Sequence, residues 1–251
     1  MAFAAAIGFF LLGLVVGSFL NVCIDRLPWK RSIVSPSSRC DACGHRLAPL
    51  DLVPVLSYLA LRGRCRYCKA PIPRRAPLVE LVAGLAFALL WHHYGATLEL
   101  AAALSFTCFF IVIFVIDLEH HLILNRVVYP AILVAVAFAL ITQHHEALQS
   151  VWGGLAGAGL LLLIALLFPQ GMGFGDVKFA AFIGLVVGFP QVFVGLSISF
   201  VMGGLVAIAL LLSGWKRRGE YVPFGPFLTI GAETAMLYGQ EILQWYVGTI
   251  H

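Results

Sequence analysis

Two aspartates and four cysteines are the residues of this chain whose types and spacing suit chemistry. Asp176 stands in Gly171-Met172-Gly173-Phe174-Gly175-Asp176-Val177-Lys178, behind three glycines and between two long apolar segments. Glycine lacks a Cβ and admits a tight turn or the close approach of another backbone, so an acid placed this way is presented to a partner. The alternative is that Asp176 caps a helix beginning at Val177. Asp117 ends another apolar segment, Phe114-Val115-Ile116-Asp117-Leu118-Glu119-His120-His121. Carboxylates that meet at one depth cannot both ionise easily and share a proton; one activates a water while the other protonates the reacting group. The alternative for Asp117 is a helix end at an interface. Glu80 and Glu233 are further acids in or near apolar segments, where a bond to a neighbouring helix is the ordinary explanation.

Cys40-x-x-Cys43 and Cys65-x-x-Cys68 repeat at an offset of 25 residues, each followed by a short turn, Gly44-His45-Arg46-Leu47 and Lys69-Ala70-Pro71-Ile72. This is the spacing of two knuckles around one tetrahedral Zn²⁺, and a closed four-thiolate shell makes such a metal structural. Two disulfides are the alternative, disfavoured in a reducing cytoplasm. His45 is a spare ligand beside sufficient cysteines, while Cys23 and Cys108 fall in or at apolar runs as small core residues. The histidine pairs at 92 and 93, 120 and 121, and 144 and 145 form no H-E-x-x-H, and no G-x-S-x-G is present. Zinc-protease and serine-nucleophile chemistry are therefore unsupported. A dinucleotide reading of the glycines before Asp176 fails for want of a βαβ unit.

Composition sets the elements that must position these residues. Of 251 residues, 61% are hydrophobic and 11% charged, which puts the chain in the membrane class. The net charge of +4 calls for no nucleic-acid partner. Residues 1–24 carry no charged side chain and are long enough to cross about 30 Å of hydrocarbon. No basic residue precedes Arg26, so this segment reads as a retained helix and not a cleaved signal. Residues 25–76 form a polar loop with eleven Lys and Arg, which assigns it to the cytoplasm. Apolar runs follow at about 77–94, 98–116, 127–142, 151–168, 179–189, 191–213 and 224–248. The expected fold is an all-α polytopic membrane protein with about eight transmembrane helices and a small cytoplasmic zinc-binding loop domain. Its divisions are a first helix over 1–24, the four-cysteine loop over 25–76 and a multi-helix membrane domain over 77–251. The run at 179–189 is short, and Pro190 marks either a turn or a kink, with a re-entrant segment as the alternative there. With the N-terminus outside, eight crossings leave Arg126, Lys178, Lys216, Arg217 and Arg218 in the cytoplasm. Merging the sixth and seventh runs would send Lys216, Arg217 and Arg218 outward.

Further motifs stand in order along the chain: Gly17-Ser18-Phe19-Leu20-Asn21-Val22 with Arg26-Leu27-Pro28, then Pro54-Val55-Leu56-Ser57 and Leu61-Arg62-Gly63-Arg64-Cys65 between the knuckles. Pro77-Leu78-Val79-Glu80, Asp117-Leu118-Glu119-His120, Gly173-Phe174-Gly175-Asp176-Val177-Lys178 and Pro223-Phe224-Gly225-Pro226-Phe227 complete the set. In these the chain resembles the prepilin peptidases, the type IV prepilin leader peptidase and N-methyltransferase family of GxGD intramembrane aspartic proteases. The resemblance implies that Asp117 and Asp176 are the catalytic pair of an aspartic peptidase domain over 77–251, supported by Gly173, Gly175, Lys178 and Glu80, with Cys40, Cys43, Cys65 and Cys68 holding structural zinc. It also implies a multi-pass enzyme of the bacterial inner membrane, serving type IV pilus or type II secretion. Its substrate would be a prepilin or pseudopilin leader peptide cut after a glycine on the cytoplasmic face. S-adenosylmethionine would then methylate the new N-terminus, with no binding residue assigned to it. Where the family often has Leu-Pro-Asp, seven residues after the first aspartate, this chain has Ile123-Leu124-Asn125, and Asp41 stands where Pro is common. The rival readings are a proton-coupled transporter, which expects acids at mid-bilayer and repeated halves, and a membrane scaffold of a secretion or pilus assembly, which leaves the G-x-G-D without a role.

Overall fold

The computed structural model describes residues 2–141, 144–168, 172–215 and 222–250. Among them lie nine α-helices: α1 (Ala2–Arg26), α2 (Leu56–Ala60), α3 (Arg75–Tyr94), α4 (Leu98–His120), α5 (Asn125–Ile141), α6 (His144–Leu167), α7 (Phe174–Val187), α8 (Gln191–Leu212) and α9 (Gly225–Ile250). A 3-10 turn occupies Pro49–Leu52, and the only β pairing among the described residues is isolated bridges. Apart from the short α2, each helix answers to one apolar run of the sequence. Gly171, Gln143, Lys216, Arg217 and Arg218 lie outside the described residues.

Among the described residues five helical segments are long and apolar enough to cross a membrane: Phe3–Arg26, Arg75–Tyr94, Leu98–His120, Ala147–Leu167 and Gln191–Leu212. The chain is thus an all-α, multi-pass membrane protein. α5 has 17 residues and α7 has 14. At 1.5 Å per residue α7 runs about 21 Å, less than the roughly 30 Å of a hydrocarbon core.

The chain divides at Val112 into two compact units. In the first, α1 lies along α3, and small residues make the approach possible. A Cβ on Gly13 would stand 2.5 Å from the Ala83 carbonyl oxygen, and one on Gly17 would stand 2.7 Å from Glu80 Cα. Between apolar helices in lipid there is no hydrophobic drive to associate, so close backbone packing takes its place.

In the second unit α7 packs against α5, α6, α8 and α9. The shortest of the apolar helices is therefore the central one, which relieves it of meeting lipid along its length. Its buried face carries Asp176, Val177, Phe179, Ala180, Phe182, Ile183 and Gly184. Gly184 meets Gly153 of α6 backbone to backbone, and α8 and α9 cross at Gly195 and Gly231 by the same device. Gly188, at φ +75°, ends α7, and Pro190 is the N-cap of α8. Pro190 thus belongs to a turn between two helices and not to a kink within one.

Candidate active site and metal-ligand cluster

Asp117 lies in the last turn of α4 and is 1% exposed. Its Oδ2 accepts a hydrogen bond of 2.9 Å from the N–H of Gly225, the first residue of α9. Asp176 is the third residue of α7 and is 4% exposed. The helix starts at Phe174, one turn earlier than the sequence suggests, so the Asp176 carboxylate reaches back to the Gly173 N–H at 3.2 Å. Capping is therefore real, but it engages only Oδ2. Oδ1 is buried and has no hydrogen-bond partner. Leaving a buried acceptor unsatisfied costs about 1–3 kcal/mol, so this oxygen is disposed to take a donor. The charge of Asp117 acts on Asp176. Two acids from helices far apart in sequence thus come within electrostatic reach of each other in one unit.

Gly175 lets the first turn of α7 rest on the connection between α4 and α5, since a Cβ there would stand 2.9 Å from Ile123 Cβ. Lys178 turns to α5, donating to Asn125 Oδ1 at 3.1 Å with its ammonium 5.6 Å from the Tyr129 ring centre. The departure at Asn125 therefore concerns the partner of Lys178. Glu80 belongs to the first unit, where its Oε2 accepts the Val55 N–H at 2.7 Å. That bond holds Val55 at φ +60°, an uncommon conformation for a β-branched residue. Gly225 and Ile123 are site residues to which the sequence reading gave no role; the only signal for Gly225 was a glycine set between prolines at the start of an apolar run.

A groove of about 290 Å³ lies between the end of α4 and the start of α9, lined by Leu118, His121, Val222, Pro223, Pro226 and Phe227 with Val206 and Leu210 of α8. Its size lies at the bottom of the range for ligand pockets, and its apolar wall suits a hydrophobic side chain.

The Sγ atoms of Cys40, Cys43, Cys65 and Cys68 lie within 4.8 Å of one another in the first unit. Cys40 and Cys68 are 3.7 Å apart at sulfur, and all six cysteines are free thiols. A disulfide would require about 2.05 Å, whereas the edge of a tetrahedron with Zn–S bonds of about 2.3 Å is about 3.8 Å. The donor set fits a zinc ion. The knuckles also repeat in their backbone bonds. Cys40 N–H donates to His45 O at 2.9 Å and Gly44 N–H to Cys40 O at 2.8 Å; Cys65 N–H donates to Ala70 O at 2.8 Å and Lys69 N–H to Cys65 O at 3.1 Å. The Cys65 thiol is pulled down to about 7 by the backbone N–H groups of Cys68 and Tyr67, while the Cys68 thiol, against the pull of the Ala70 N–H, is pushed up to about 12 by burial and the sulfurs of Cys43, Cys65 and Cys40. His45 stands against the Tyr67 ring, centroids 3.7 Å apart, and ties one knuckle to the other. Asp51 fixes the second knuckle to the 3-10 turn, accepting from Arg66 Nε at 2.6 Å, Ala48 N–H at 3.1 Å and Tyr67 O–H at 3.2 Å. Burial pushes the Asp51 carboxyl up, but these donors outweigh it and hold the group below its usual range.

Residues 11–94 match the bacterial peptidase A24 N-terminal domain, and residues 104–208 match the type IV leader peptidase family. A prepilin leader peptidase/N-methyltransferase of Pseudomonas aeruginosa is 34% identical over 94% of this chain and 91% of its own length. The protein of that name from Bacillus subtilis is 33% identical over 95% of this chain and 96% of its own, and that from Aeromonas hydrophila 32% identical over 95% and 92%. No solved structure matches. Consecutive domain matches and relatives this similar over nearly their full length lead to one conclusion: the chain belongs to the type IV leader peptidase family.

Proposed function

We propose that this protein is a membrane-embedded aspartic endopeptidase that removes the leader peptide of type IV prepilins or pseudopilins after a glycine and then methylates the new N-terminus. The observation that carries the peptidase is the pair Asp117 and Asp176, both almost fully buried, with the Oδ1 of Asp176 unpartnered. Peptide hydrolysis by carboxyl groups needs water deprotonated as it attacks the carbonyl carbon, and a proton delivered to the departing nitrogen. One ionised and one protonated carboxyl supply both and exchange roles as the bond breaks. Gly173 and Gly175 serve by holding the first turn of α7 in place, and Lys178 by tying it to α5.

The test uses the purified protein in detergent with a peptide carrying a basic leader, Gly and then Phe, read by mass spectrometry for one cut. An amide has nearly the shape of a carboxyl group but cannot cycle a proton. Asp117→Asn and Asp176→Asn should each lower cleavage by orders of magnitude, and the double change should be little worse. Substantial cleavage by either single variant would falsify the assignment.

Zn²⁺ held by Cys40, Cys43, Cys65 and Cys68 would serve structure, since four thiolates leave no position for water. N-methylation rests on the name of the relatives. No side chain is assigned to S-adenosylmethionine, and the groove between α4 and α9 does not suit its charged groups, His121 being the one titratable residue in its wall. The positive charges favour eight crossings of the inner membrane, N-terminus outside and the cysteine loop and aspartates at the cytoplasmic face.

A further inference from the structure

A helix begins with four backbone N–H groups that have no partner within it. At the start of α9 Pro226 has no N–H, and those of Phe227 and Leu228 turn back to the Phe224 carbonyl at 3.0 and 3.1 Å. The N–H of Gly225 goes instead to Asp117 Oδ2 at 2.9 Å, in a buried contact between residues 108 apart in the chain. Only glycine fits this approach. A Cβ on residue 225 would stand 2.6 Å from that oxygen, 3.0 Å from Asp117 Cγ and 3.1 Å from Asp117 Cβ. The turn is itself held firmly, because Pro223 and Pro226 fix their own φ angles and the Phe224 ring packs on Phe200 of α8 at 5.2 Å.

We propose that the Pro223-Phe224-Gly225-Pro226 turn is a positioning device for Asp117, its Gly225 amide fixing the orientation in which that carboxyl acts. The proposal rests on the reading of Asp117 and Asp176 as a catalytic pair. Asp117 has its Cβ on a rigid helix, and once Oδ2 is pinned its other oxygen has one place to be. At 1% exposure no bulk water is at hand to provide a substitute donor. A misplacement of about 1 Å at a reacting group costs about 100-fold in rate, so this single amide has leverage over turnover.

The experiment replaces one backbone amide by an ester, which removes an N–H without adding bulk, at residue 225 or at residue 227 of the full-length protein in detergent. Each change deletes one hydrogen bond at the start of α9, and the ester at 225 also weakens the Phe224 carbonyl as acceptor for Phe227 and Leu228, so both should lower thermal stability, that at 225 somewhat more. The ester at 225 should lower kcat about 100-fold with KM unchanged. The ester at 227 should leave kcat near that of the unmodified protein. Unmodified kcat with the ester at 225, or an equal loss with both, would overturn the proposal. If the ester proteins do not fold, Gly225→Ala is compared with Gly195→Ala, whose Cβ would stand 3.1 Å from the Gly231 carbonyl oxygen of α9, beyond the turn. A kcat loss confined to Gly225→Ala supports the positioning role, and an equal loss overturns it. Failure of the unmodified protein to cut any basic-leader peptide would instead remove the peptidase reading itself.

Discussion

Lys69 occupies in the second knuckle the place that Gly44 holds in the first. Gly44 sits at φ +69° and Lys69 at φ +62°, a left-handed conformation that costs a residue with a Cβ about 1 kcal/mol. Lys69→Gly should therefore tighten the cysteine loop, and the measurement is slower zinc loss to a chelator than from the unmodified protein. Gly44→Val should do the reverse. The repeat behind this prediction was legible in the sequence, because cysteine spacing and the following turn are local. The environment of the aspartates was legible only in part. Capping and chemistry are alternatives for Asp176 in the sequence; capping engages Oδ2 and leaves Oδ1 without a partner, and only coordinates separate the two oxygens. Gly225 was quoted in a motif but had no assigned role, since its partner Asp117 is 108 residues away and no local pattern records it.

Helices in this chain meet where side chains are smallest, so their stability should respond to added methyl groups at some glycines and not at others. A Cβ on Gly184 would collide with the Gly153 backbone of α6, where neither side can yield. Gly184→Ala should cost about 1–3 kcal/mol in thermal or denaturant unfolding in detergent. Gly159 and Gly204 sit in α6 and α8 with nothing within 4 Å of such an atom. Alanine there should be neutral or stabilising by up to about 1 kcal/mol through the unfolded chain. The apolar helices could be read from hydropathy, though α6 starts at His144 and α7 at Phe174, ahead of the runs at 151–168 and 179–189, but their neighbours could not. A helix that is apolar on every side carries no stripe to say which face is buried, which is why the central place of α7 went unseen. In the cysteine loop the Asp51 clamp makes a pH prediction. Its carboxyl is held below the usual range when folded, so its contribution is present above the unfolded value of about 3.9 and fades as pH falls through the folded value. Asp51→Asn should speed hydrogen exchange across residues 64–71 at neutral pH, and the difference from the unmodified protein should close in strong acid.

At the scale of the whole molecule, helix length and charge pull in different directions. Among the described residues five segments meet the length and hydropathy of a crossing, whereas α7 at about 21 Å falls short of about 30 Å of hydrocarbon. The charges ask for eight crossings, because only an even pair at the sixth and seventh runs returns Lys216, Arg217 and Arg218 to the cytoplasm. The packing of α7 bears on one of the three apolar helices outside the five, α5 and α9 being the others. Enclosed by α5, α6, α8 and α9, it meets protein along its length, and a helix lined by protein need not match the thickness of lipid. We infer that the turn at Gly188, Phe189 and Pro190 is the outer end of a buried crossing, the tip of a re-entrant hairpin being the alternative that labelling decides. Phe189 is 43% exposed and open to a reagent. Phe189→Cys in intact cells should react with a membrane-impermeant thiol reagent added outside, above the background of the unmodified protein. A cysteine placed beside Arg46 should react only after the cytoplasmic face is opened. Labelling of Phe189→Cys from the cytoplasm alone would make the α7 segment re-entrant, carry α8 across in the opposite sense, and place the three basic residues after it on the outer side.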